Sequence, residues 1–197
     1  MEQNKHIALR AGDALLLVDV QNDFLPGGAL AVPHGDEVIV PLNRLIERFG
    51  VHGLPVYATR DWHPVGHCSF RERGGPWPPH CLADTRGARF PTQLALPEGA
   101  VVISKATTPD KDTYSGFEGT DLDERLRERS VQRLAIGGLA TDYCVLNTVR
   151  DALKLRYRVL LVRDAIRAVE VHAGDGERAI AEMEARGALS VDSGNLA

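Results

Sequence analysis

The sequence predicts an α/β fold: a doubly wound, mostly parallel six-stranded sheet flanked by helices on both faces, three layers in all. Three observations carry that expectation. Short apolar runs recur along the chain, segments of helical periodicity lie between them, and charged residues stand where the runs end. A run that is apolar at nearly every position suits a strand covered on both faces, as a parallel strand between helix layers is. Alternating strands and helices then demand right-handed crossovers. In such sheets chemistry gathers at the carboxyl ends of the strands.

The first strand covers residues 14–20, Ala-Leu-Leu-Leu-Val-Asp-Val, and a Pro-Gly-Gly turn follows at 26–28. Val38, Ile39, Leu42, Leu45, Ile46 and Phe49 then fall on one face of a helix, and Pro41 requires that helix to start near it or to bend. Residues 55–60 and 100–106 read as the second and third strands. Between them lies a long stretch rich in Gly, Pro and His with little period, which in a compact domain points to function. After a Gly-rich turn at 115–119, residues 121–129 form a short charged helix and 134–137 a fourth strand. Residues 142–155 form a helix with Val145, Val149, Ala152 and Leu153 inward. A fifth strand at 159–162, a helix at 177–186 closed by Gly187, and a last strand at 189–191 complete the pattern.

The chain has 197 residues and no linker, repeat or low-complexity tract, so a single domain over residues 1–197 is expected. Hydrophobic residues at 44% and charged residues at 25% exclude a disordered chain, a collagen or a coiled coil. Lys+Arg at 23 against Asp+Glu at 27 gives a net charge of −4 with no basic block, which argues against a nucleic-acid or anionic membrane partner. No apolar run approaches the roughly 20 residues of a membrane span. The first apolar stretch is short and broken by Asp19, unlike a secretory signal. Three sparse cysteines, Cys68, Cys81 and Cys144, make no disulfide framework and point to a reducing cytoplasm.

Asp61, His63, His67 and His80 put one carboxylate and three imidazoles in the long loop, a donor set for Zn²⁺, Fe²⁺ or Mn²⁺. Pairing His67-Cys68 with His80-Cys81 as a zinc knuckle fits less well, because adjacent side chains point apart in extended chain and the spacing lacks the usual signature. Cys68 and Cys81 are better read as packed small hydrophobes. Cys144 falls in the first turn of a helix beyond a Gly-rich strand end. There the helix dipole favours a thiolate, and unpaired backbone amides can receive a developing oxyanion. By residue type alone, a buried core cysteine is the commoner case. Asp19 and Lys105 are charges at the ends of strands that should be buried, which is costly unless they are paired. A purely structural pair contributes little net stability, so a functional pair is favoured.

Together the segments Val18-Asp19-Val20-Gln21-Asn22-Asp23-Phe24, Thr59-Arg60-Asp61-Trp62-His63-Pro64, Trp77-Pro78-Pro79-His80-Cys81, Lys105, Tyr114-Ser115-Gly116-Phe117-Glu118-Gly119 and Gly138-Leu139-Ala140-Thr141-Asp142-Tyr143-Cys144 resemble the isochorismatase-like superfamily of cysteine hydrolases. The D-x-H and W-P-x-H-C segments are similar to its nicotinamidase branch. The resemblance runs from about Asp13 to the last strand. It implies hydrolysis of nicotinamide to nicotinate and ammonia, a step of NAD salvage. The partner it implies is a small-molecule substrate, with no nucleic acid and no membrane, and a homo-oligomer is compatible with it.

Matched by motif, the resemblance implies Cys144 as nucleophile, Asp19 as general base and acid, and Lys105 as the cation that orients Asp19. Asp61, His63 and His80 are implied ligands of one divalent ion, zinc ahead of iron or manganese, that binds the pyridine nitrogen. His67 is a further candidate ligand, used by only some relatives; several carry Asn before it where this chain has Gly66. A cis peptide at Leu139–Ala140 is implied to aim the amides of Ala140 and Cys144 into an oxyanion hole. Phe24, Trp77 and Tyr114 are expected to line a slot for a flat heterocycle, with Leu139 and Tyr143 closing its walls. Three other readings stay open at this level: a cysteine amidohydrolase for carbamoyl or ureido substrates, a metal-activated hydrolase with an inert Cys144, and a non-catalytic metal-binding domain.

Overall fold

A computed structural model describes residues 6–197 and contains one sheet of six strands: β1 (Asp13–Val18), β2 (Val56–Asp61), β3 (Val101–Lys105), β4 (Arg133–Leu139), β5 (Arg158–Arg167) and β6 (Leu189–Val191). The order is β3-β2-β1-β4-β5-β6 and every pairing is parallel. The chain steps outward from β1 to β3, then returns to lay β4 against the other side of β1 and steps outward again. Neighbouring connections therefore diverge at the carboxyl ends of β1 and β4 and leave a crevice there.

Strand β1 shows why the layers form. Every one of its residues is buried, and side chains alternate between faces. Leu15 and Leu17 join the core beneath α1 (Ile39–Val51), with Leu42, Leu45 and Phe49. Ala14, Leu16 and Val18 join the opposite core, under α2 (Leu122–Glu128), α3 (Leu146–Lys154) and α4 (Asp175–Ala185), with Leu126, Val149 and Met183. Each fully buried Leu contributes about 1.5–3 kcal/mol, so the six residues of β1 alone anchor both layers.

Several expected boundaries move, each for a physical reason. α1 does start near Pro41, as one of the two alternatives had it: the proline is its third residue, inside the first turn, where no backbone N–H is needed as an intrahelical donor. β5 runs five residues past its expected end at Val162: Arg163 and Asp164, which read as a break, sit where the register with β4 shifts, and their side chains find partners. Arg163 pairs with Glu177 on α4, and Asp164 accepts from the backbone and hydroxyl of Ser193. The helix expected over 142–155 is two pieces, a single π-turn at Thr141–Val145 and then α3. The long loop is not structureless: Phe70 bridges Trp77, and His63 bridges Leu82. Among the described residues, no helix is long and apolar enough to cross a membrane.

Candidate active site and metal centre

Four strand ends deliver the site. Asp19 follows β1 in a left-handed conformation (φ 49°), and its Oδ1 accepts the Thr59 hydroxyl at 2.6 Å. Asp61 ends β2 directly beside Lys105, the last residue of β3. From an edge strand, Lys105 must reach past β2 to Asp19 beyond β1, about two strand spacings of ~4.8 Å, and a lysine stem is long enough to do so. Its Nζ lies 2.5 Å from Asp61 Oδ1, 3.0 Å from Asp19 Oδ2, 3.2 Å from the Thr113 carbonyl and 3.6 Å from Cys144 Sγ. Beyond β4 comes the cis peptide Leu139–Ala140 and then the π-turn that carries Cys144. Gly138 makes the close approach of β4 to β1 here, with φ 128° and space so tight that a Cβ would sit 2.0 Å from the Val18 carbonyl oxygen.

Asp19, Asp61 and Lys105 are all buried, so two carboxylates share one ammonium away from water. Burial opposes the charge on Lys105, but Asp19 and Asp61 outweigh it and hold the ammonium well above its ordinary pKa. Asp61 is also desolvated, yet the Lys105 ammonium keeps its carboxyl well below the usual range. Asp19 goes the other way: burial raises it, and Lys105 offsets this only in part. Burial likewise pushes the Cys144 thiol well up despite Lys105. Burial thus works against the thiolate that a helix dipole is expected to favour. Desolvation outweighs the Lys105 charge and favours the thiol, so a base is needed to take its proton. One donor atom each from Asp19, Asp61 and Cys144 lies within 4.8 Å of the other two, so that base is at hand.

The candidate metal-binding donors lie beside this set. His63 Nδ1 donates to the Ala106 carbonyl at 3.3 Å and His80 Nδ1 to the Pro78 carbonyl at 2.8 Å. A carbonyl only accepts, so both rings carry their proton on Nδ1 and present an Nε2 lone pair. His63 Nε2 is buried without a hydrogen-bond partner, 3.7 Å from Asp61 Oδ2. Donor atoms of Asp61, His63 and His80 all lie within 4.8 Å of one another. A buried lone pair facing a carboxylate is resolved by a cation, and two imidazoles with a carboxylate suit zinc. Desolvation also lowers His80, which keeps its ring neutral for ligation.

His67 is not brought into this donor set. Its Nε2–H donates to the Lys111 carbonyl at 3.1 Å, and its Nδ1 accepts from the Ser69 hydroxyl at 2.8 Å, so neither nitrogen has a lone pair to spare. Its ring instead packs against His63, with centroids 4.2 Å apart. The Ala106 and Lys111 carbonyls come from far along the chain, so the spacing of the histidines could not separate the three imidazoles.

A small cavity opens onto Cys144, Asp61, His63 and His80. Phe24, Trp77, Tyr114 and Tyr143 line it as expected. Trp77 Nε1 donates to the Tyr114 hydroxyl at 3.0 Å, and Tyr143 meets the Trp77 ring edge-on at 5.1 Å. Leu139 corrects the expectation: it is fully buried in the core under α1, within reach of Gly35, and faces away from the cavity. Ala140, one residue on, and Val169, after β5, take that place in the wall. Sequence reasoning also missed Thr59 and Gln21. Gln21 ties the loop to the site by accepting from Asp61 N at 2.7 Å and donating to the Asp61 and Ala88 carbonyls. A polar residue at a buried strand position was the available signal for Thr59, and a polar residue right after β1 for Gln21.

Residues 13–194 match the isochorismatase domain family. The chain is 41% identical to the nicotinamidase of Escherichia coli over 89% of this chain and 92% of that enzyme. Among solved structures it resembles the pyrazinamidase of Pyrococcus horikoshii in complex with zinc, with a TM-score of 0.88 and 54% identity over 92% of this chain and 99% of the other. It also resembles PnC1 from L. infantum in complex with nicotinate, with a TM-score of 0.89 and 32% identity over 98% of each chain.

Proposed function

Since the chain belongs to the isochorismatase family, we propose from its site that it hydrolyses nicotinamide to nicotinate and ammonia with Cys144 as the nucleophile. One observation carries this reading: Cys144 Sγ, Lys105 Nζ and the Asp19 carboxyl meet next to the Asp61–His63–His80 donor set, and one cavity reaches both. The relatives that act on nicotinamide, and the zinc and nicotinate complexes among similar structures, support it.

In this reading Asp19 Oδ2, left without a hydrogen bond of its own, takes the Cys144 proton, and the Lys105 ammonium steadies the sulfur as it becomes anionic. Sγ adds to the carboxamide carbon while the backbone N–H groups of Ala140 and Cys144 receive the charge growing on oxygen. Amide nitrogen leaves poorly, so Asp19 returns the proton to it and ammonia departs, leaving a thioester on Cys144. Asp19 then takes a proton from the water that attacks the thioester. Nicotinate leaves, and the sulfur regains its proton. Asp61, His63 and His80 would hold a divalent ion, which when bound would supply Lewis acidity to the substrate ring. Phe24, Trp77, Tyr114 and Tyr143 hold a flat ring between apolar faces.

The same reading takes residues 1–197 as one catalytic domain, gives the product to NAD salvage, and assigns a cytoplasmic address supported by the free thiols Cys68, Cys81 and Cys144. The buried lone pair of His63 separates it from a carbamoyl amidohydrolase, whose chemistry needs no such donor set. Ammonia release from nicotinamide by zinc-loaded protein, with a carbamoyl amide as comparison, tests it. Turnover of nicotinamide that weakens on chelation is expected, and metal-independent turnover of the carbamoyl compound alone would overturn it.

A further inference from the structure

Asp142, two residues before Cys144, spends its whole carboxylate on a distant segment. Oδ1 accepts the Val169 N–H at 2.9 Å and Oδ2 the Glu170 N–H at 3.0 Å. Those two residues lie in the irregular stretch between β5 and α4, just past the end of the sheet ladder. Val169 lines the cavity. Glu170 extends the attachment: in a left-handed conformation (φ 57°), its carboxylate accepts the N–H groups of Gly174 at 2.6 Å and Gly176 at 2.9 Å. At Gly176, the second residue of α4, a Cβ would sit 2.7 Å from that carboxylate. Two carboxylates in series thus connect the nucleophile turn to the cavity wall and then to the start of α4.

We infer that Asp142 is a positioning residue that sets the substrate-binding wall, acting through Val169. The paired N–H acceptors fix the backbone of residues 169 and 170 against the turn, and that placement holds the Val169 side chain at the ring slot. The inference rests on nicotinamide as the substrate. It predicts a defect in binding rather than in chemistry, because Asp142 touches none of the atoms that move protons in the proposed reaction.

The test is a double-mutant cycle of Asp142→Ala and Val169→Ala in zinc-loaded protein, read as KM and kcat for ammonia release. Asp142→Ala is expected to raise KM about tenfold with kcat within about threefold. In the Val169→Ala background the same change is expected to raise KM less than about twofold, since the side chain it positions is gone. Asp142→Asn, which keeps one acceptor oxygen, is expected to recover part of the loss. Amide exchange at Val169 and Glu170 is read in parallel and needs no turnover; it should accelerate in Asp142→Ala and Asp142→Asn. Additive KM effects, or a fall in kcat at unchanged KM, would overturn the inference, as would unchanged exchange. If wild-type protein released no ammonia, the substrate reading would fall while the exchange data still decided whether Asp142 holds the wall.

Discussion

Strand β1 has a carboxylate at each end, and the two ends differ in kind. At the amino end, Asp13 accepts from Arg133 Nε at 2.8 Å, from an Arg133 terminal nitrogen at 2.5 Å and from the Arg10 backbone at 2.8 Å. Both its oxygens are taken by a forked partner directly opposite in the β1–β4 ladder. At the carboxyl end, Asp19 Oδ1 accepts one hydroxyl, while Oδ2 has only an ion-pair contact with a lysine that lies closer to Asp61. Both residues are anomalies of the same sort in sequence, acids flanking a continuous apolar run. The lesson is that a buried pair does not by itself mark function. A saturated pair fixes strands, whereas an acid with an uncommitted oxygen, competing for a shared cation, has somewhere to put a proton.

The sharpest test of this contrast uses the sulfur whose proton Asp19 takes in the proposed reaction. Cys144→Ala should lower kcat for nicotinamide by at least about 10⁴-fold, measured as ammonia release, with little change in the midpoint of thermal unfolding. Next in size is the exchange of the two acids. Asp19→Asn should cost about 10²–10⁴ in kcat and leave stability equal or higher, because it removes one of two carboxylates competing for Lys105. Asp13→Asn should do the reverse, keeping kcat within about twofold while losing about 3 kcal/mol in urea unfolding, since Arg133 is left without its counter-charge. Equal losses of stability in the two variants would dissolve the contrast.

The metal side of the site extends the comparison to histidines that look alike in sequence. His80→Ala should abolish stoichiometric zinc by elemental analysis and raise KM for nicotinamide at least about tenfold, whereas His67→Ala should retain zinc. Retained zinc in the first variant, or lost zinc in the second, would show that the carbonyl partners do not decide which rings ligate.

The smallest effect belongs to the outer layer. Burial raises little at Glu182; Arg150 and Arg186 pull its carboxyl from 4.5 to about 2. A carboxyl with a depressed folded pKa stabilises fully above its unfolded value and loses that contribution as pH falls through the folded one. Glu182→Gln should therefore be less stable than wild type at pH 6, by fractions of a kcal/mol given its partial exposure, and the gap should close between about pH 4.5 and pH 2. Urea midpoints at several pH values measure it; a gap independent of pH would mean the arginines do not act through charge.

Much of this was legible in the sequence because the decisive features are local. A continuous apolar run made β1 a central strand, and the strand ends placed Asp19, Asp61 and Lys105 at one edge of the sheet. What escaped depends on contacts between distant segments. His67 is silenced by the Lys111 carbonyl, and Leu139 turns into the core beside Gly35 while Val169 supplies the wall. β5 ran on through Arg163 and Asp164 because α4 and Ser193 satisfy them. The Cys144 proton shows the limit most clearly: position in the chain suggested a helix dipole, but only the enclosed site reveals a desolvation that outweighs the neighbouring Lys105 charge.

The most direct measurement of the central claim is to acid-quench zinc-loaded protein during turnover of nicotinamide, weigh the intact chain and map the modified peptide. The account predicts a gain of one nicotinoyl group on Cys144, sensitive to hydroxylamine and missing from Cys144→Ala. Sustained ammonia release with no acyl group on the chain, persisting in Cys144→Ala, would contradict it.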